Sequence, residues 1–127
     1  MITTNISTLL TIKPVLQHLA QTDMPARESF KTLRILKVID KEFENIEIVQ
    51  RNLFNTYGEK DEEDQLIINE DGTVKIKEEM LDKFNEEMFD FLNTELSLDI
   101  QKLKIEAFDN MPISPLLLMK MEDFIEE

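Results

Sequence analysis

The chain has no cysteine, one histidine and two glycines in 127 residues. Without cysteine there are no disulfides, no thiol nucleophile and no thiolate metal site, which fits a reducing compartment. A single histidine, His18, excludes a His-rich metal site and leaves no visible nucleophile, base and orienting group. Beside Leu19 on an amphipathic segment, His18 reads as a surface or half-buried structural residue. Gly58 and Gly72 are too few for a Walker or dinucleotide-binding loop, each of which needs several glycines. Long apolar runs are also missing. The longest, residues 115–119, ends at Lys120 and is far shorter than a membrane span. The first five residues carry no basic segment ahead of an apolar one, so no secretory signal is expected. These absences predict an intracellular protein that needs no cofactor, binds no metal and does not enter a membrane.

Charge is plentiful but uneven. Residues 1–57 hold seven Lys/Arg and six Asp/Glu, whereas residues 58–127 hold seven and twenty-one. So acidic a second half opposes nonspecific attraction to nucleic acid or anionic lipid, and no direct nucleic-acid partner is expected. Two readings of the acids follow. They are a solubilising surface, or they form a face offered to a basic partner, with Glu59, Asp61, Glu62, Glu63, Asp64, Glu70 and Asp71 as its candidates. A calcium loop does not fit them. Placing Gly72 at position six of an EF-hand puts Ile67 at position one, where an oxygen ligand is required. The basic residues Arg27, Lys31, Arg34, Lys37 and Lys41 recur three and four apart, but they alternate with Glu28, Asp40, Glu42 and Glu44 and read as a solvated helix face.

The clearest periodic signal covers residues 25–57. Leu36, Ile39, Phe43, Ile46, Gln50, Leu53 and Tyr57 step by three and four and mark the seam of a helix packed along its length. Phe30 and Leu33 extend the seam, and Gly58 is expected to stop the helix at its C′ position. Such a helix would be roughly 45–50 Å long. That exceeds the diameter expected of one compact domain, so the helix is predicted to protrude or to carry an oligomer contact. Before it, Ile6, Leu9, Leu10, Leu16 and Leu19 suggest a helix capped by Asn5 or Ser7, with Pro14 disturbing its middle.

After the charged residues 59–64, Leu66 and Ile68 alternate, Asn69-Glu70-Asp71-Gly72 marks a turn, and Val74 and Ile76 alternate again, which predicts a β-hairpin. Residues 78–92 return to helical spacing through Leu81, Phe84, Met88 and Phe91. A strand is expected through Leu96, Leu98 and Ile100, and a second alternation through Leu103 and Ile105. The pattern breaks at Asn110-Met111-Pro112, and Ser114-Pro115 opens a last helix running to about Ile125. The fold class expected is α+β, predominantly helical: one long central helix, a β-hairpin and one or two further short strands. No repeat or linker divides residues 1–127, so a single domain is expected.

The order of these features is similar to that of a family of small bacteriophage proteins from phages of Gram-positive-type bacteria. The resemblance rests on Met24-Pro25-Ala26, the long helix ending in Tyr57-Gly58-Glu59-Lys60-Asp61-Glu62, the hairpin strand at residues 72–77, the Asn93-Thr94-Glu95-Leu96 step and the closing Ile113-Ser114-Pro115 helix. It implies a viral origin, and with it the host cytoplasm or the virion, and carries no catalytic residue onto this chain. The expectation is a non-catalytic protein-interaction module that self-associates through the long helix as a homo-oligomer. Two alternatives stand beside it: an acidic inhibitor imitating nucleic-acid phosphates against a host nuclease or DNA-binding protein, and a virion or assembly component.

Overall fold

A computed structural model describes residues 1–109, 111 and 113–127. The architecture is α+β and mainly helical. In chain order the elements are β1 (Ile2–Asn5), α1 (Ile6–Leu19), α2 (Ala26–Tyr57), α3 (Leu81–Leu92), β2 (Glu95–Leu98), β3 (Leu103–Lys104), α4 (Pro115–Lys120) and β4 (Ile125–Glu126). Short 3-10 turns precede α3, follow β3 and precede β4. The chain divides into two compact units, Met1–Glu42 with Asn93–Glu127, and Phe43–Leu92.

The first unit is built on α1 and the N-terminal half of α2. Asn5 caps α1, its side-chain oxygen accepting from the Thr8 amide at 2.8 Å, and Ile6, Leu9, Ile12, Leu16 and Leu19 form the buried stripe. Ile12, not Leu10, completes that stripe; Leu10 is half-buried. Pro14 lies inside α1 on its exposed side. It supplies no amide for the Leu10 carbonyl, so its presence weakens the helix. Pro14→Ala is expected to stabilise the protein by about 1–3 kcal/mol, read as a rise in the denaturation midpoint.

The N-terminal strand has no counterpart in the periodic reading. Ile2 and Thr4 point inward and pair antiparallel with Leu98 and Leu96 of β2, and Thr4 Oγ1 donates to Asp123 Oδ2 at 3.0 Å. Leu103 is fully buried, but the alternation stops there: Ile105 is exposed and Ala107 and Phe108 turn inward on a 3-10 turn. The closing helix is also shorter than expected. It ends at Lys120, and a 3-10 turn over Glu122–Phe124 leads into β4, which pairs parallel with β3. Ser114 caps it as expected, accepting from the Leu117 amide at 3.2 Å. Met121 and Phe124 are fully buried beyond its end. Of the expected break, Asn110 and Pro112 lie outside the described residues.

In the Phe43–Leu92 unit, three extended segments follow the end of α2. Residues 57–61, 65–69 and 73–77 are joined by antiparallel bridges at Gly58↔Ile76, Lys60↔Leu66 and Ile68↔Val74. The predicted hairpin is therefore present, and the charged stretch ahead of it pairs with both of its arms. The turn at Asn69–Gly72 closes through the Gly72 amide to the Asn69 carbonyl at 3.0 Å, with Gly72 at φ +87°. Gly58 is not in the left-handed region of an αL helix stop. Its amide bonds the Phe54 carbonyl at 2.7 Å while it enters the bridge to Ile76, so α2 runs directly into extended chain. Against the end of α2 pack the rings of α3: Phe84 lies 5.8 Å from Phe54 and 6.1 Å from Tyr57, centroid to centroid.

Candidate interaction surfaces

The seven seam residues of α2 all lie on covered positions. Ile39, Ile46 and Tyr57 are buried, and Leu36, Phe43, Gln50 and Leu53 are half-buried. The residues read as extending the seam, Phe30 and Leu33, are exposed instead, at 61% and 48%. The reason is angular. At 100° per residue, Phe30 and Leu33 fall opposite Ile35 and Ile39. A count of three and four steps fits both faces when apolar residues occupy each, so the N-terminal end of the seam was assigned to the wrong side.

Tyr57 ends the seam and also makes a polar contact. Its hydroxyl donates to Glu87 Oε1 of α3 at 2.7 Å. That hydrogen bond, with burial and the carboxylate's charge, raises the phenol above its ordinary pKa of 10.0. The folded state thus holds this proton more tightly than the unfolded one. The stabilisation is complete below about pH 10 and is lost as pH rises through the folded value. Tyr57 is the one tyrosine of the chain, so its ionisation is readable alone by ultraviolet difference absorbance. Glu87→Gln is expected to move that transition toward 10, and to reduce the fall of stability in alkali.

The acidic candidates divide into two turns. Residues 65–69 run extended between them, so Glu62 and Glu63 lie at one end of this segment and Glu70 and Asp71 at the other. Within the first turn, Asp61 Oδ1 accepts from the amides of Glu63 (2.9 Å) and Gln65 (3.0 Å), and Asp64 takes φ 62°, a conformation aspartate tolerates better than most residues. Asp64 reaches Lys60 at 3.8 Å, and Glu59 pairs with Lys75 at 3.3 Å. In the second turn Asp71 accepts from the Thr73 hydroxyl and amide at 2.6 and 3.0 Å, which holds its carboxyl below the ordinary range. This contribution is present above about pH 4 and is lost as pH falls through the lowered value. Glu62, Glu63 and Glu70 are exposed and make no ion pair among the described residues.

Sequence reading passed over a basic groove in the first unit. Arg27, Lys31 and Arg34 stand along the start of α2, and Lys102 and Lys104 face them from the segment after β2. Two adjoining cavities, about 640 and 290 Å³, share Lys31 and Gln101 in their walls. Glu28, buried beneath, fixes this arrangement. One carboxylate oxygen meets Lys31 Nζ at 3.2 Å and the other accepts the Lys104 amide at 3.1 Å. The helical spacing was legible; the lysines opposite it, some seventy residues away in sequence, were not.

Among the described residues no group of three or more His, Asp or Glu side chains is placed to hold a metal. No helix among them is long and apolar enough to cross a membrane. His18 is exposed. Comparison with protein-family models, with curated proteins and with solved structures finds no match to this chain.

Proposed function

We propose that this protein is a non-catalytic interaction module that binds a basic protein partner through the acidic surface of its Phe43–Leu92 unit. The observation that carries the reading is the charge of that unit, which holds fifteen Asp/Glu against five Lys/Arg. Carboxylates at Glu62, Glu63 and Glu70 stand exposed without a cation of their own among the described residues. Such a field speeds encounter with a cationic surface and repels nucleic acid. The resemblance to small phage proteins supports a role inside an infected host cell, where a carboxylate surface can occupy a site that a host protein keeps for nucleic-acid phosphate. Association through the 36–57 seam has less support, because its side chains are already covered in a single chain.

Capture from infected-cell extract at two salt concentrations tests the proposal. A basic partner that is retained at about 50 mM salt and lost at about 0.5 M is expected, since screening shortens from over 10 Å to about 4 Å across that range. A partner with no cationic surface, or retention unchanged by salt, would contradict it.

A further inference from the structure

We infer that the groove between Arg27, Arg34, Lys102 and Lys104 takes the acidic turn of a second copy of this chain, with Glu62 and Glu63 seated among those cations. The inference rests on the proposed acidic binding surface and names one partner for it. In a chain with net charge −13, five cations converging on one groove are out of keeping with the rest of the surface. Lys31 is neutralised by Glu28. Arg27, Arg34, Lys102 and Lys104 make no ion pair among the described residues, although Asp99 and Glu126 also line the walls. Arg34 also lies 5.9 Å over the exposed Phe30 ring.

The occupant is argued from charge complementarity. Arg27, Lys31 and Arg34 are spaced over two turns of α2, about 10 Å, which suits a short run of chain carrying consecutive carboxylates. The groove is open, and its cations come from separate residues on two stretches of the chain. The turn at residues 61–64 supplies the matching shape. Asp61 ties the turn to its own backbone, which leaves Glu62 and Glu63 as adjacent outward carboxylates on an ordered loop.

A groove on one copy meeting a loop on the next is a heterologous contact, so association continues beyond the dimer or closes into a ring. Light scattering with sedimentation of the full chain reads this directly. At about 50 mM salt the weight-average mass is expected to exceed that of one chain and to grow with concentration, and at about 0.5 M it falls to the monomer. Lys102→Glu with Lys104→Glu, and separately Glu62→Lys with Glu63→Lys, are each expected to weaken association by about tenfold or more. All four residues sit at exposed or half-buried positions, and circular dichroism checks that each variant is folded. An equimolar mixture of the two variants is expected to associate again, because each supplies the charge the other lacks. A wild-type protein that stays monomeric at low salt overturns the inference. If it still captures a lysine-rich peptide in a salt-sensitive way, the acidic-surface reading survives alone. Association untouched by both charge reversals also overturns it.

Discussion

Replacing Ile39 by aspartate is expected to unfold the protein, not to separate subunits. Ile39 is fully buried in the first unit. The change removes about 1.5–3 kcal/mol of side-chain burial and adds a carboxylate with no prepared partner. That carboxylate costs several kcal/mol more unless it protonates. The sum approaches the whole stability of a domain, which is about 5–15 kcal/mol. Ile39→Ala, which only leaves a cavity, should cost about 2–5 kcal/mol. Urea denaturation followed by circular dichroism separates core from interface. A core position lowers the midpoint at every protein concentration. An interface position leaves the monomer folded and shifts its mass instead.

Gly58→Ala is expected to damage the Phe43–Leu92 unit more than any change at Gly72. A methyl group at Gly58 would overlap the Phe54 carbonyl oxygen and come within 2.5 Å of Leu66 Cδ2. The Leu66 methyl is the end of a side chain and can shift, whereas the Phe54 oxygen is the firm obstacle. The oxygen is backbone and already accepts the Gly58 amide. Val74 Cγ1 is a further close neighbour, 3.2 Å from the added group. Overpacking of this kind costs about 1–3 kcal/mol, and the extended segments must part if the helix end does not move. Gly72 presents the opposite case. Nothing lies within 4 Å of an added methyl, and only its φ of +87° resists substitution. Gly72→Asn should therefore cost less than about 1 kcal/mol, whereas Gly58→Asn should be at least as harmful as Gly58→Ala. Thermal melts of the three variants give the comparison.

The long helix was legible because its signal is local and repeated: three-four spacing, no internal glycine or proline, and a boundary at Pro25. The Asn-x-Asp-Gly turn was legible for the same reason. What sequence reading missed depends on partners distant in the chain. β1 is four residues, and its Ile2-Thr3-Thr4 run offers β-branched side chains but too short an alternation to stand out. Its strand character comes from pairing with β2, more than ninety residues later. β4 likewise exists through β3. The last helix was read too long because Met121, Phe124 and Ile125 keep helical spacing, yet Met121 is the cap that ends α4, Phe124 reaches the core from a 3-10 turn, and the half-buried Ile125 lies in β4. Gly58 was given the right position and the wrong reason: the Phe54 carbonyl and Leu66 side chain that exclude a side chain there are not visible to a C-cap rule. The helix's length, read as an excess needing an outside contact, is divided between two compact units, residues 26–42 in one and 43–57 in the other. The candidate site was legible as charge but not as arrangement. Counting found the acids; it could not place Glu62–Glu63 and Glu70–Asp71 at opposite ends of one segment, or set Lys102 and Lys104 across from Arg27.

Titration of the protein with a lysine-rich peptide over a series of salt concentrations tests whether exposed carboxylates of the Phe43–Leu92 unit bind a cationic partner. Binding is expected to weaken steeply and linearly on logarithmic axes, with a shallower slope when Glu62, Glu63 and Glu70 are changed to glutamine. Absence of binding at low salt, or an affinity that is the same at every salt concentration and in the glutamine variant, would contradict it.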